Sequence, residues 1–280
     1  MQLGIRLHDI KKAPLEERLE IAKEQGFLCG HLALSKVISE YSVEDSALTP
    51  GFAMYLKKIF QKNNLDVAVL GCYLNLANPN EESLKKITHR YMTHIRFASL
   101  LGAGVVGTET GAPNEGYKFE EACRSQEALD IFIKNVCPVV EYAEKMGVIF
   151  AIEPVAKHIV WNPKRAREVL DTIQSPNLQI IFDPVNLLDI HNYQNREEII
   201  AEAIELLGDD IAMVHIKDFV VKDGELVSVA AGTGEMDYTQ IIRFIKEKKP
   251  HIHVTLENTV PENAVQSKEF IQRLWDECEI

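Results

Sequence analysis

Four ionisable side chains end apolar runs in the second half of the chain. They are Glu153, Asp183, His215 and Glu257, and we call them the strand-end tetrad. Taken singly, each could cap a helix or pair with a lysine. Carboxylates that face one another beside an apolar core would repel and need a compensating charge. A divalent cation meets that need, since the tetrad offers three hard oxygens and one imidazole nitrogen. The tetrad therefore predicts one metal ion, with Mn²⁺ as first choice and Mg²⁺, Co²⁺ or Zn²⁺ as alternatives.

Elements that could bring the tetrad together alternate along the whole chain. Eight β-type runs cover residues 3–7, 29–34, 66–74, 105–110, 148–153, 179–183, 211–217 and 253–257. Helical apolar spacing follows seven of them, and a last helix is predicted over 263–276. The longest pattern predicts a buried stripe at Leu84, Ile87, Tyr91, Ile95 and Leu100.

Eight β-then-α units in 280 residues predict an α/β fold, a (β/α)8 TIM barrel forming one domain over residues 1–280. A doubly wound open sheet is the alternative, but no glycine-rich turn follows the first run. In a barrel, the carboxyl ends of all strands meet at one mouth. The tetrad residues end four successive strands, so we expect them to converge there.

The connection over residues 219–237 is longer than the others. Its sequence Lys222-Asp223-Gly224-Glu225 predicts a β-hairpin inserted after the seventh strand. Long βα loops in barrels lie on the catalytic face.

Composition limits the partners and the compartment that we expect. The chain has 30 Lys and Arg against 42 Asp and Glu, a formal charge of −12, which opposes binding to nucleic acid. The five cysteines are odd in number and contain no C-x-x-C motif, as in a reduced, cytoplasmic protein. No run of about 18 uncharged apolar residues predicts a membrane span, and no signal peptide is evident.

The strand-end sequences resemble those of the xylose isomerase-like TIM-barrel superfamily of sugar isomerases and epimerases, which includes ketose 3-epimerases and inosose isomerases. The resemblance extends over the whole chain and is strongest at Ile152-Glu153-Pro154, Phe182-Asp183-Pro184-Val185-Asn186, His215-Ile216-Lys217-Asp218 and Glu257. It implies that the tetrad binds one divalent metal and that Glu153 and Glu257 are the catalytic acid/base pair. It also implies a homodimer or homotetramer.

Two departures from the ketose 3-epimerase pattern bear on the substrate. Asn186 stands where ketose 3-epimerases usually have a histidine, and Val221 stands where they have an arginine. Lys217-Asp218 is closer to the inosose isomerase branch. The extra histidines that hold three zinc ions in the related endonuclease IV branch are absent, which argues against a trinuclear cluster.

These observations predict a metal-dependent isomerase or epimerase acting on a sugar or cyclitol. The metal would hold the carbonyl and hydroxyl oxygens and stabilise a metal-bound enediolate after proton abstraction. The alternatives are a cyclitol dehydratase-type lyase, an endonuclease IV-like DNA-repair hydrolase, and a binding protein that keeps the metal without the chemistry. The candidate substrate contacts are Glu109, His158, Asn186, Lys217 and His8.

Overall fold

Eight parallel strands close into a barrel in the computed structural model of the chain, which describes residues 1–279. Residues 1–279 contain ten strands, and all but the pair β8 and β9 form the barrel. In chain order they are β1 (Gln2–Arg6), β2 (Cys29–Leu32), β3 (Asp66–Gly71), β4 (Val105–Glu109), β5 (Phe150–Glu153), β6 (Leu178–Phe182), β7 (Ile211–Ile216), β8 (Asp218–Lys222), β9 (Glu225–Val229) and β10 (His253–Leu256). The first strand closes the barrel by pairing with the last, from Gln2 opposite His253 to Ile5 opposite Leu256. The TIM-barrel prediction is confirmed.

Helices cover the outside of the barrel between its strands. They are α1 (Leu15–Glu24), α2 (Leu34–Val37), α3 (Pro50–Lys62), α4 (Glu81–Leu101), α5 (Gln126–Met146), α6 (Pro163–Ile173), α7 (Arg196–Leu207), α8 (Thr239–Lys248) and α9 (Ala264–Glu277). Side chains of Thr49, Asn80, Ser125 and Asn162 accept hydrogen bonds from the first turns of α3, α4, α5 and α6. None of the helices within residues 1–279 has the length and apolarity needed to cross a bilayer.

The apolar core has two parts. The larger part lies between the sheet and the helices. The smaller part joins side chains from β2 through β7, namely Cys29, Ala68, Val69, Val105, Ala151, Ile181 and Met213. Because these strands surround the barrel axis, the smaller cluster fills the interior on the N-terminal side of the tetrad. The packed interior leaves the strand ends as the place where polar side chains meet.

The apolar stripe of α4 departs from its prediction at its C-terminal end, and Leu84 and Ile87 near its start are only partly buried. Tyr91 and Ile95 are fully buried, as predicted, but Leu100 is 41% exposed while Leu101 is 2% exposed. Residue 98 continues the buried face three residues after Ile95, and Leu101 follows three residues later. Leu100 lies five residues after Ile95 and therefore points away from the barrel.

The predicted hairpin is confirmed as β8 and β9, which pair antiparallel from Asp218 opposite Val229 to Lys222 opposite Glu225. Asp223 and Gly224 make the turn with φ of 52° and 78°. Two positive φ values in succession suit the Asp-Gly pair and the twist of a two-residue hairpin. A single residue, Lys217, separates the end of β7 from the start of the hairpin, so the predicted seventh strand, 211–217, runs almost directly into the insertion.

Candidate active site

The tetrad lies at the carboxyl end of the barrel. Glu153 is the last residue of β5, Asp183 directly follows β6, His215 is the penultimate residue of β7, and Glu257 directly follows β10. Each is at most 5% exposed. Parallel strands bring their carboxyl ends to one mouth, and for this reason residues 104 positions apart in sequence share one site.

His215 lies between the two glutamates of the tetrad. Its Nδ1 atom is 3.4 Å from Oε1 of Glu153 and 3.5 Å from Oε1 of Glu257. The carboxylate of Asp183 is fixed on one side, because its Oδ1 atom accepts hydrogen bonds from the backbone N–H groups of Val185 and Asn186. The fixed Asp183 carboxylate and the two glutamates thus converge on one imidazole.

Charges within the site shift the pKa of its members. Burial disfavours a charged His215, but the Glu257 and Glu153 carboxylates outweigh it and raise the pKa of the imidazole to about 9. Burial likewise opposes ionisation of Glu257, yet His215, Lys217 and Arg6 lower the pKa of that carboxyl well below its usual range. The carboxylates therefore draw positive charge to this point.

The donor set fits a divalent metal ion. Ligand atoms of Glu153, Asp183 and His215 lie within 4.8 Å of one another, and those of His215, Glu257 and His31 form a second such group. His215 belongs to both groups. Carboxylate oxygens with an imidazole nitrogen suit Mn²⁺, Mg²⁺, Co²⁺ and Zn²⁺. Within residues 1–279, both groups are fully buried and neither contains a cysteine.

Lys217 is a second source of positive charge in the site. Its Nζ atom lies 2.7 Å from Oδ2 of Asp183 and 3.3 Å from Oε2 of Glu257. Burial opposes its charge, but Asp183 and Glu257 prevail and raise the pKa of the ammonium above its usual value. The lysine is thus a fixed cation at the base of the mouth.

A cavity of about 330 Å³ opens above the tetrad. Most of its lining is polar or charged. The lining residues are Arg6, His8, His31, Lys36, Tyr73, Glu109, Tyr117, Glu153, Asn186, Lys217 and Glu257. The volume lies in the range of small-molecule sites.

Four of the five candidate substrate contacts line this cavity. Asn186 donates from Nδ2 to Oε1 of Glu153 at 2.7 Å, and Glu109 accepts a hydrogen bond from Tyr117 at 3.2 Å. Lys217 and His8 line it as well. The fifth candidate, His158, does not. Its ring packs on Tyr117 with centroids 5.2 Å apart, and burial lowers the pKa of its imidazole to about 4.

Sequence reasoning missed His31, which contacts His215 and Glu257 of the tetrad, and Tyr73, which contacts His31. His31 is buried within β2 and Tyr73 follows β3, and both line the cavity. The only signal was a histidine near the end of the second predicted strand. That strand carries no carboxylate, so the pattern that indicated the other four strands was missing there.

The chain was then compared with known proteins. The family model described as xylose isomerase-like TIM barrel matches residues 19–274. Since the match spans most of the sequence, the chain belongs to this family. A comparison with curated protein sequences found no match.

Solved structures with the same fold include three with informative names. A D-tagatose 3-epimerase-like protein superimposes with a TM-score of 0.76 at 22% identity, over 99% of this chain and 97% of that one. The IolI protein with a bound zinc atom gives 0.78 at 19% identity, over 100% and 99%. The 3-keto-D-glucoside 4-epimerase YcjR from E. coli gives 0.75 at 16% identity, over 98% and 99%. These likenesses establish a shared fold along nearly the whole chain.

Proposed function

We propose that this protein is a divalent-metal-dependent isomerase or epimerase that moves a proton next to the carbonyl of a sugar or cyclitol. One observation carries the proposal. Two glutamates, Glu153 and Glu257, flank one histidine beneath a polar cavity of about 330 Å³. Two carboxylates from different strands can reach a small substrate from two directions, as the removal and return of a proton require.

The metal would be held by the strand-end tetrad. When bound, such an ion acts as a Lewis acid that makes the C–H next to a carbonyl more acidic. The zinc bound to the IolI protein supports a metal in this fold, and Mn²⁺ remains our first choice for this chain. Asp183 is assigned to metal binding and not to proton transfer, because Lys217 and two backbone N–H groups hold its carboxylate.

Proton transfer is assigned to Glu153 and Glu257. One carboxylate removes the proton beside the carbonyl, and the other carboxyl group returns a proton to the opposite face, which inverts the centre. If a single group carries the proton between neighbouring carbons, the outcome is aldose–ketose isomerisation. Lys217, fixed between Asp183 and Glu257, supplies positive charge near the enediolate that forms.

The cavity lining supports a polyhydroxylated substrate. Glu109, Tyr117 and Asn186 lie on the side formed by β4 and the loops after β4 and β6, and each offers an oxygen or N–H group to a hydroxyl. The names of two structural neighbours, D-tagatose 3-epimerase-like protein and 3-keto-D-glucoside 4-epimerase, refer to sugars, which agrees with this lining.

The test is a panel of ketoses, aldoses and keto-cyclitols incubated in deuterated water with Mn²⁺. We expect one deuterium to enter the substrate carbon next to the carbonyl, with no change in composition beyond that exchange. Loss of water from the product would instead identify a dehydratase. Failure of the whole panel to exchange, together with cleavage of an abasic DNA duplex, would contradict the proposal.

A further inference from the structure

His31 occupies a fixed position beneath the cavity. Its side chain is 1% exposed, and its ring stacks on that of His215 with centroids 5.3 Å apart and planes 8° apart. On the other side, its Nε2 atom lies 3.0 Å from the hydroxyl oxygen of Tyr73. A ring held by a stack and a hydrogen bond has little rotational freedom.

The second ring nitrogen of His31 faces Glu257. Nδ1 lies 3.7 Å from Oε1 of Glu257 and has no hydrogen-bond partner within residues 1–279. A lone pair on Nδ1 would repel that carboxylate oxygen, whereas an N–H group would attract it. The contact therefore favours the neutral tautomer with its proton on Nδ1, and Tyr73 then donates its hydroxyl hydrogen to Nε2.

Gly71 makes room for this arrangement. It is the last residue of β3, and a Cβ atom there would lie 2.8 Å from Nε2 of His31 and 2.7 Å from the Tyr73 ring. Any other side chain at residue 71 would have to displace one of the two partners.

We propose that His31, oriented by Tyr73, is a positioning residue that holds the Glu257 carboxylate in its working orientation. The inference rests on the proposed function, since it takes Glu257 as a metal ligand and proton carrier. The carboxylate is held at both oxygens. His215 and His31 face Oε1, while Lys217 and Arg6 face Oε2 at 3.3 and 3.4 Å.

His31 acts on Glu257 without binding the metal itself. A nitrogen that carries a hydrogen has no lone pair to offer a cation. The other ring nitrogen, Nε2, is taken up by the hydroxyl of Tyr73 at 3.0 Å. Without His31, only His215 would face Oε1 against the two cations at Oε2.

The test measures Mn²⁺ affinity by calorimetry in three variants. H31N keeps an N–H group close to the position of Nδ1, H31L removes it, and Y73F removes the group that orients the ring. We expect H31L to lose at least about 10-fold in affinity, H31N to stay within about 3-fold of the wild type, and Y73F to fall between them. The control is H253N, because His253 bonds to Asp66 at the opposite end of the barrel and should leave affinity unchanged.

Equal affinity in H31L and the wild type would overturn the proposal, as would an equal loss in H31N and H31L. A Co²⁺ absorption spectrum adds a readout of coordination. We expect the H31N spectrum to match that of the wild type, and a changed spectrum would make His31 a ligand and overturn its positioning role. If the affinities follow expectation but no substrate exchanges deuterium, the proposed function fails while the role of His31 stands.

Discussion

Glu153 and Glu257 share a functional group but have different surroundings. Glu153 accepts a hydrogen bond from the Asn186 amide and lies beside His215. Glu257 faces two cationic side chains, Lys217 and Arg6, in addition to His215. His215, Lys217 and Arg6 lower the pKa of the Glu257 carboxyl against the effect of burial. The Asn186 amide beside Glu153 carries no charge.

We expect E153Q to remove solvent exchange while leaving the barrel folded. The amide cannot accept a substrate proton, so deuterium incorporation should fall by at least about 100-fold, the lower end of what general acid–base catalysis contributes. Mass spectrometry of substrate recovered from deuterated water measures the effect. E141Q, on the exposed surface of α5, is the matched control and should exchange at the wild-type rate. Exchange by E153Q at the wild-type rate would remove Glu153 from the proton path.

The site residues that could be predicted from the sequence are those that share one repeated pattern. Each tetrad member follows an apolar strand, and the fold brings these positions together. His31 breaks the pattern because its role depends on Tyr73 and on the space left at Gly71. His158 was an expected substrate contact, but it is not among the lining residues and its ring packs on Tyr117, which is. Such loop geometry has no local signature in the sequence.

The hairpin insertion is anchored by one buried carboxylate. Asp218 accepts hydrogen bonds from the backbone N–H groups of Phe219, Gly232, Gly234 and Met236 at 2.8 to 3.1 Å. Lys217 precedes it directly, and the hydroxyl of Tyr238 donates to the Lys217 carbonyl oxygen. The loop after β9 is thereby fixed beside Lys217 of the candidate active site.

We expect D218A to lower the free energy of unfolding by about 2–4 kcal/mol, because four N–H groups lose their acceptor and only some regain water. Urea unfolding monitored by circular dichroism measures the change. The control E225A lies exposed in the same hairpin and should stay within about 0.5 kcal/mol of the wild type. A D218A protein as stable as E225A would show that the loop is held by other contacts.

The buried face of α4 can be tested by comparing Leu101, which is buried, with Leu100, which is exposed. L101A deletes a buried side chain and should cost about 2–5 kcal/mol of unfolding free energy, whereas L100A should cost less than about 0.5 kcal/mol. Both variants replace leucine with alanine, at adjacent positions of the same helix. Equal costs in chemical denaturation would contradict the assigned face.

Elements were predictable from the sequence where local chemistry sets them. The eight strands follow from short β-rich apolar runs, and the Asp-Gly turn follows from the need for positive φ at two successive residues. The residues at which strands end were less predictable than the presence of the strands. The predicted third strand, 66–74, ends at Gly71, where the chain turns to bring Tyr73 against His31. A tertiary contact sets that boundary.

The whole molecule joins an acidic chain to a site that concentrates buried carboxylates. The formal charge is −12, and three carboxylates of the tetrad face one imidazole at the mouth. Lys217 and a protonated His215 offset part of that charge in the protein without metal. A divalent ion would add the remaining compensation, so metal binding and stability should be linked.

Metal binding should therefore raise the melting temperature. At a Mn²⁺ concentration about 100 times the Kd, linkage contributes about 2.7 kcal/mol, which corresponds to about 5 °C for a domain of this size. Differential scanning calorimetry with and without a chelator measures the shift. D183N removes one charged ligand, so its melting temperature should rise little when Mn²⁺ is added. A shift of the same size in D183N would mean that the stabilising ion binds elsewhere.

The most direct test of the proposed metal site is the position of the metal in a crystal grown with Mn²⁺, taken from its anomalous scattering. We expect one strong peak in contact with carboxylate oxygens of Glu153, Asp183 and Glu257 and with a ring nitrogen of His215. A peak that omits two of these four residues, or none at the barrel mouth in protein saturated with Mn²⁺, would contradict it.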